Sequence, residues 1–230
     1  MGQFSGFPKE GLSFYKQLGV NNNRTWFNEN KATYIENIVE PAQAFVEELG
    51  DRLRFLSPAI QSDSRANNGS IIRIYRDIRF SKDKTPYKTH LGIVFWEGMG
   101  KKMENPGYFF HMDAREGGIY GGNHHFDKSF LTTYREAVDD ERMGRELSKA
   151  IKEVEESGSE VAGEQYARVP RGYDPEHKRA HLLRYKGLWS KSPTIIAEQL
   201  MSPDLVDRCF EYCAAMHPLH QWLIRVDQMK

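Results

Sequence analysis

Ile71-Ile-Arg73-Ile-Tyr75-Arg76-Asp77-Ile-Arg79-Phe80, followed after a polar loop by Leu91-Gly-Ile-Val-Phe-Trp96, is the stretch on which the fold turns. In its first half Ile72, Ile74, Ile78 and Phe80 alternate with Arg73, Tyr75, Asp77 and Arg79, the period of two that gives a half-buried strand one face for each set. The second half is apolar on both faces, as in a strand covered from both sides. The residues from Ser81 to Thr89 join the two. Beyond them Tyr108 to Asp113 and Ile119 to Gly121 read as further strands about the turn Arg115-Glu-Gly-Gly118, completing an antiparallel meander.

The flanks carry the helical period instead. Leu12, Tyr15 and Leu18 precede Gly19, and Tyr34, Ile35, Ile38, Ala42, Phe45, Leu49 and Leu53 form a longer stripe that Pro41 is expected to kink or break. Asn21-Asn-Asn23 between them is turn and capping chemistry, which places Trp26 and Phe27 in the first turns of the next helix. After Asp127 the stripe Phe130, Leu131, Tyr134, Val138 leads to a charged helix from Arg142 to Glu156. Asp174-Pro175 and Ser202-Pro203 read as helix starts. The last long helix carries Leu205, Val206, Cys209, Phe210 and Cys213, and continues past Pro218 with Leu219, Trp222, Leu223 and Val226. The expected fold is α+β: an antiparallel sheet of about four strands packed by N- and C-terminal helices. Without a repeat, a low-complexity run or a linker, residues 1–230 read as a single domain.

Hydrophobic residues at 39% and charged residues at 28% are globular usage,. With 32 basic and 32 acidic side chains the formal net charge is zero, so binding to nucleic acid requires a local patch,. Cys209 and Cys213, four apart on a helix, sit poorly for a disulfide and read as reduced core residues. No signal peptide and no apolar run long enough to span a membrane is visible, and Gly6 stands where a myristoylation pattern needs Ser or Thr. The expectation is a cytoplasmic protein with no membrane partner. The sequence leaves the oligomeric state open.

The run Arg73-Ile-Tyr-Arg76-Asp77-Ile-Arg79-Phe80-Ser-Lys-Asp83-Lys84-Thr-Pro-Tyr87 resembles, at every fixed position, the signature Arg-x-x-Arg-Asp-x-Arg-Phe-x-x-Asp-Lys-x-x-Tyr of the bacterial family catalogued as domain of unknown function 2461. Asn22-Asn23-Arg24-Thr-Trp26-Phe27, Arg168-Val-Pro170-Arg-Gly172-Tyr173-Asp174 and Leu183-Arg184-Tyr185-Lys186 are similar to other parts of that family. One segment departs from it: Gly121-Gly122-Asn123-His124-His125 is poorer in glycine and has no proline. The resemblance implies a bacterial protein and brings no activity, so function rests on the residues themselves.

Alternation turns Arg76 toward the core, where a guanidinium needs a carboxylate. Asp83 and Asp77 are the candidates, and Arg76, Asp77 and Asp83 form the expected structural ion pair. Arg73, Arg79 and Lys84, with Tyr75 or Tyr87 beside them, are the candidate ligand residues for a small anion bearing phosphate or carboxylate. Arginine supplies planar, bidentate recognition of such groups, and Lys82 and Lys88 add charge. The competing reading is a purely architectural salt-bridge network. Yet the six cations between Arg73 and Lys88 outnumber Asp77 and Asp83. Nucleic acid is the second candidate partner, through the tyrosines of this stretch with Arg171, Lys178, Arg179, Arg184 and Lys186. A structural or protein-interaction domain with no ligand is the third.

Catalytic residues cannot be named: no nucleophile stands in a motif with a base, and His90 is alone near the loop. No cofactor motif is present. His111-Met-Asp113 with His124, His125 and Asp127, and His177 with His181, lack diagnostic metal-ligand spacing, so no metal is assigned. Asp77, Asp83 and Glu97 lack the Glu-x-Lys of a nuclease.

Overall fold

The asparagine triplet does two jobs at the start of the chain. At the end of helix α1 (Lys9–Val20), the Asn21 side chain donates to the Gln17 carbonyl at 3.1 Å, and Asn23 accepts from the Trp26 N–H at 3.0 Å to cap α2 (Arg24–Glu29). The computed structural model in which these contacts are seen describes residues 3–66, 68–99, 101–163 and 165–230. Helix α3 (Lys31–Tyr34) runs through a π-helical turn, Ile35–Val39, into α4 (Glu40–Leu56). The break expected at Pro41 is absorbed there: proline sits in the first turn of α4, and the wider turn before it takes up the missing N–H. The Asn37 carbonyl on that turn lies so close to Gly11 that a Cβ on α1 would collide with it.

The sheet comprises β1 (Leu91–Trp96), β2 (Gly107–Met112), β3 (Glu116–Asn123), β4 (Glu160–Ala162), β5 (Leu188–Lys191) and β6 (Ile195–Ile196). Among the described residues its order is β1-β2-β3-β5-β4, with β6 also on β3. The pairs β3–β5, β3–β6 and β4–β5 are antiparallel. The architecture is therefore α+β with an antiparallel sheet, larger than the expected four strands because of the short β4, β5 and β6.

The expected strand from Ile71 to Phe80 is replaced by two isolated bridges, Ile71 with Ile93 and Tyr75 with Tyr87. Asp77 and Asp83 explain the loss. Each accepts an N–H two residues ahead, from Arg79 at 3.2 Å and Thr85 at 2.9 Å, and these local bonds turn the chain away from a ladder,. Phe80, assigned by alternation to the buried face, is 95% exposed.

The chain divides into two compact units. The first comprises 1–95, 109–119 and 194–211, and contains α8 (Ala197–Leu200). Its core is aromatic: Phe45 of α4 packs on Phe110 of β2 at 4.7 Å, and Phe4 packs on Phe45 and Phe7 at 5.3 Å each. The second comprises 96–108, 120–193 and 212–230. It holds α5 (Lys128–Asp139), α6 (Glu141–Glu156), α7 (Ala180–Leu183) and the greater part of α9 (Leu205–Asp227), which runs on through Pro218. In it the Trp222 indole donates to the Met143 carbonyl at 2.9 Å and the Tyr134 hydroxyl to the Leu182 carbonyl at 3.0 Å. Asp174-Pro175 opens a turn instead of a helix, Asp174 accepting the Glu176 N–H at 2.9 Å. Cys209 and Cys213 are buried free thiols. Among the described residues no helix is long and apolar enough to cross a membrane.

Candidate anion site

In the first unit the chain from Ile71 to Tyr87 is held at its base by backbone bonds and at its tip by side chains. The Ile72 N–H donates to the Gly92 carbonyl and the Lys88 N–H to the Ile74 carbonyl, both at 2.8 Å, and the Arg76 N–H donates to the Pro86 carbonyl at 2.9 Å. Beyond that bond the aspartates take over. Nη1 of Arg76 donates to Asp83 at 2.5 Å and to the Thr85 carbonyl at 3.0 Å, and also contacts the Thr85 hydroxyl. Its partner is thus Asp83 and not Asp77. The Arg76 side chain keeps 27% of its surface in solvent, where alternation implied full burial. Asp77 grips Arg79 instead, through Nε at 3.0 Å and Nη2 at 2.7 Å.

Both aspartates are strongly acidic in consequence. The bond from Arg79 holds Asp77 at about 2. The Thr85 N–H, with Arg76 second, holds Asp83 at about 2.

The five candidate ligand residues separate. Lys84 donates its ammonium to the Ile78 carbonyl at 2.9 Å, so it and Arg79 are engaged within the loop. Tyr87 is buried, stacked on Phe27 with centroids 4.1 Å apart, and Tyr75, 51% exposed, lies 5.4 Å from it. The Asn22 amide grips Tyr87 at both backbone groups, accepting its N–H at 3.1 Å and donating to its carbonyl at 2.9 Å. Two of the stretches singled out in the sequence, Asn22 to Phe27 and Arg73 to Tyr87, are therefore one packed element. Arg73 is exposed and makes no ion pair among the described residues.

Next to Arg73 lies a group of bases. The Lys88 ammonium donates to the Arg73 carbonyl at 2.7 Å, and it too has no carboxylate partner among the described residues. Burial lowers the Lys88 pKa, and the Arg73 charge lowers it further. His90 is pushed down to about 4, first by burial and then by His111 and Lys88, with Asp113 opposing. The His90 and His111 rings are 4.8 Å apart. Strand alternation accounts for the grouping: Leu91, Ile93, Phe110 and Met112 point into the core, which leaves Lys88, His90 and His111 on the other side, only half-buried,. Gly92 gives this face a flat spot over which the Phe109 ring lies. No alternation in the sequence joins Lys88, His90 and His111, because Leu91 to Trp96 is apolar on both faces and Lys88 and His90 precede it. Among the described residues no three His, Cys, Asp or Glu side chains gather as a metal site requires.

The family model described as Conserved hypothetical protein (DUF2461) matches residues 10–222, a span that includes all of these side chains. No curated protein matches the chain.

Proposed function

This chain belongs to the DUF2461 family of conserved hypothetical proteins, and, that description naming no activity, we propose from the geometry that the first unit binds a small anion carrying phosphate or carboxylate beside Arg73 and Lys88. One observation carries the reading: a half-buried lysine lies against an arginine, neither makes an ion pair among the described residues, the Arg73 charge reaching an Asp77 that Arg79 already neutralises, and two histidines flank them. Like charges held together by a fold raise its energy, and an anion between them removes the repulsion while gaining charge-assisted hydrogen bonds. Lys88 is held by its N–H bond to the Ile74 carbonyl and by its ammonium's bond to the Arg73 carbonyl, so this donor is organised before the ligand arrives,. Tyr75 is a lining ring for such a ligand. Arg79, Lys84 and Tyr87 act at one remove, by shaping the loop that carries Arg73.

Thermal denaturation in the presence of orthophosphate, pyrophosphate, phosphorylated metabolites, nucleotides and short oligonucleotides tests this. An anion raises the melting temperature of wild type and of Arg79→Ala but not of Arg73→Ala or Lys88→Ala. If no anion stabilises the wild type, or all variants respond alike, the cluster is architectural and the reading fails. Stabilisation that grows with oligonucleotide length and falls steeply in log salt points instead to nucleic acid.

A further inference from the structure

The second unit has a cleft that the first unit's chemistry does not use. It measures about 540 Å³ and is lined by Arg135, Tyr166, Ala167, Arg168 and Pro170. That volume falls within the ~300–1,000 Å³ of small-molecule sites. Tyr166 supplies its aromatic surface and is 42% exposed. The backbone beneath the ring is fixed, because Arg184 holds it twice. The Tyr166 N–H donates to the Arg184 carbonyl at 2.7 Å, and Nε of Arg184 donates to the Tyr166 carbonyl at 2.8 Å. The Arg135 guanidinium lies 5.2 Å from the ring centroid and is itself tied to the Leu183 carbonyl at 3.4 Å. Neither Arg135 nor Arg168 has a carboxylate partner among the described residues.

We propose that this cleft binds a planar aromatic ring bearing a phosphate or carboxylate, the ring lying on Tyr166 and the acid between Arg135 and Arg168. An apolar floor with two uncompensated guanidinium groups is complementary to that combination and to neither half alone. Tyrosine stacks the ring, and the planar guanidinium groups take the acid in pairs of hydrogen bonds. A third cation, the Lys186 ammonium, lies 5.0 Å from the Tyr166 ring centroid and adds charge for the acid. A single-stranded nucleic acid needs such contacts repeated along a basic track, and three of the other nearby cations are committed elsewhere. Arg179 is buried and donates to the carbonyls of Val138, Asp139 and Asp140; Lys178 pairs with Glu141 at 2.7 Å; and Arg184 is spent on Tyr166. What remains suits one ring and one acid.

Calorimetric titration of the full-length Arg73→Ala chain, in which the first unit's anion site is disabled, with 1-naphthyl phosphate, 1-naphthol and orthophosphate tests the assignment. The aromatic phosphate binds at one equivalent, at least tenfold more tightly than either fragment. In that background Tyr166→Ala and Arg168→Ala each weaken it at least tenfold at unchanged melting temperature. Equal binding of orthophosphate, indifference to both cleft substitutions, or affinity rising with the length of an oligothymidylate would each overturn it. Because the titrated chain lacks the Arg73 site, failure here and failure of the first unit's site are separate results.

Discussion

Arg73 and Arg76 stand three residues apart and differ in what surrounds them. Arg76 satisfies three acceptors in its own loop, among them Asp83 and the Thr85 carbonyl, while Arg73 adds charge beside Lys88. Removing Arg76 therefore loosens the loop, and Arg76→Ala is expected to cost about 1–2 kcal/mol, less than a buried pair would because its head group is partly solvated. Arg73→Ala relieves repulsion and should fall within about 0.5 kcal/mol of wild type. Urea denaturation of the two variants separates them, and equal losses would contradict the loop as described. His90 provides a second handle. It is neutral at pH 7 because its pKa lies at about 4, and an anion beside it favours the protonated ring,. Binding of sulfate, which does not titrate in this range, should strengthen as pH falls from 7 to 5, and His90→Gln should flatten that dependence. Sulfate affinity that is level with pH in the wild type would remove His90 from the site.

The elements show which physical signals a sequence carries and which it hides. Apolar stripes decided α1, α4, α5 and α9, since a helix repeats its buried face every turn and leaves many matching residues to read, while α6 is read as a charged helix. Short strands leave few. Glu160 to Ala162 spans little more than one period, and in β5 the buried alternate to Leu188 is Ser190, whose hydroxyl donates to the Gly121 carbonyl at 3.1 Å and so looks polar in the sequence. Arg179 hides its role for a related reason. As a charge it suggested a nucleic-acid contact, yet it is 4% exposed and closes the C-terminal end of α5, donating to Val138, Asp139 and Asp140,. The close approach of Gly144 to its side chain leaves no room for a larger residue there. Arg179→Ala should destabilise by about 2–3 kcal/mol through the stranded carbonyls, and Arg179→Lys should rescue little, because one ammonium cannot reproduce the fork. Asn22→Ala, which frees both backbone groups of Tyr87, should cost about 1–3 kcal/mol and speed amide exchange at Tyr87 specifically,. Exchange that quickens equally along α1 would mean that Asn22 supports the end of the preceding helix instead of the loop that ends at Tyr87.

For the whole molecule, equal numbers of acids and bases make net charge uninformative, and the pH dependence of stability follows from the individual groups that folding perturbs,. Three sets act in different ranges. Burial and neighbouring cations hold His90 at about 4, and burial followed by His220 lowers His217, with Glu97 opposing. Unfolding restores both to ~6.5, so below that value the unfolded chain binds more protons than the folded one and stability falls as pH drops from about 6.5 toward 4. Asp77 and Asp83, both at about 2, extend the fall: their contribution is complete above the ordinary carboxylate range and is lost as pH drops from about 4 to 2,. At the other end burial raises Tyr34 to about 12 and Tyr15, Tyr108 and Tyr134 well above their ordinary value. Above pH ~10 the unfolded chain therefore sheds protons that the folded one retains, and stability falls again. Burial raises the Cys209 thiol as well, so the expected profile is a plateau between pH ~6.5 and ~8.5 with a decline on either side,. Urea midpoints measured from pH 3.5 to 11 check it, and His90→Gln should remove part of the slope between pH 6.5 and 4 while leaving the alkaline limb in place. A midpoint that rises as pH drops below 6.5 would show that the histidines gain protons on folding, which would reverse the electrostatics assigned to the face around Lys88.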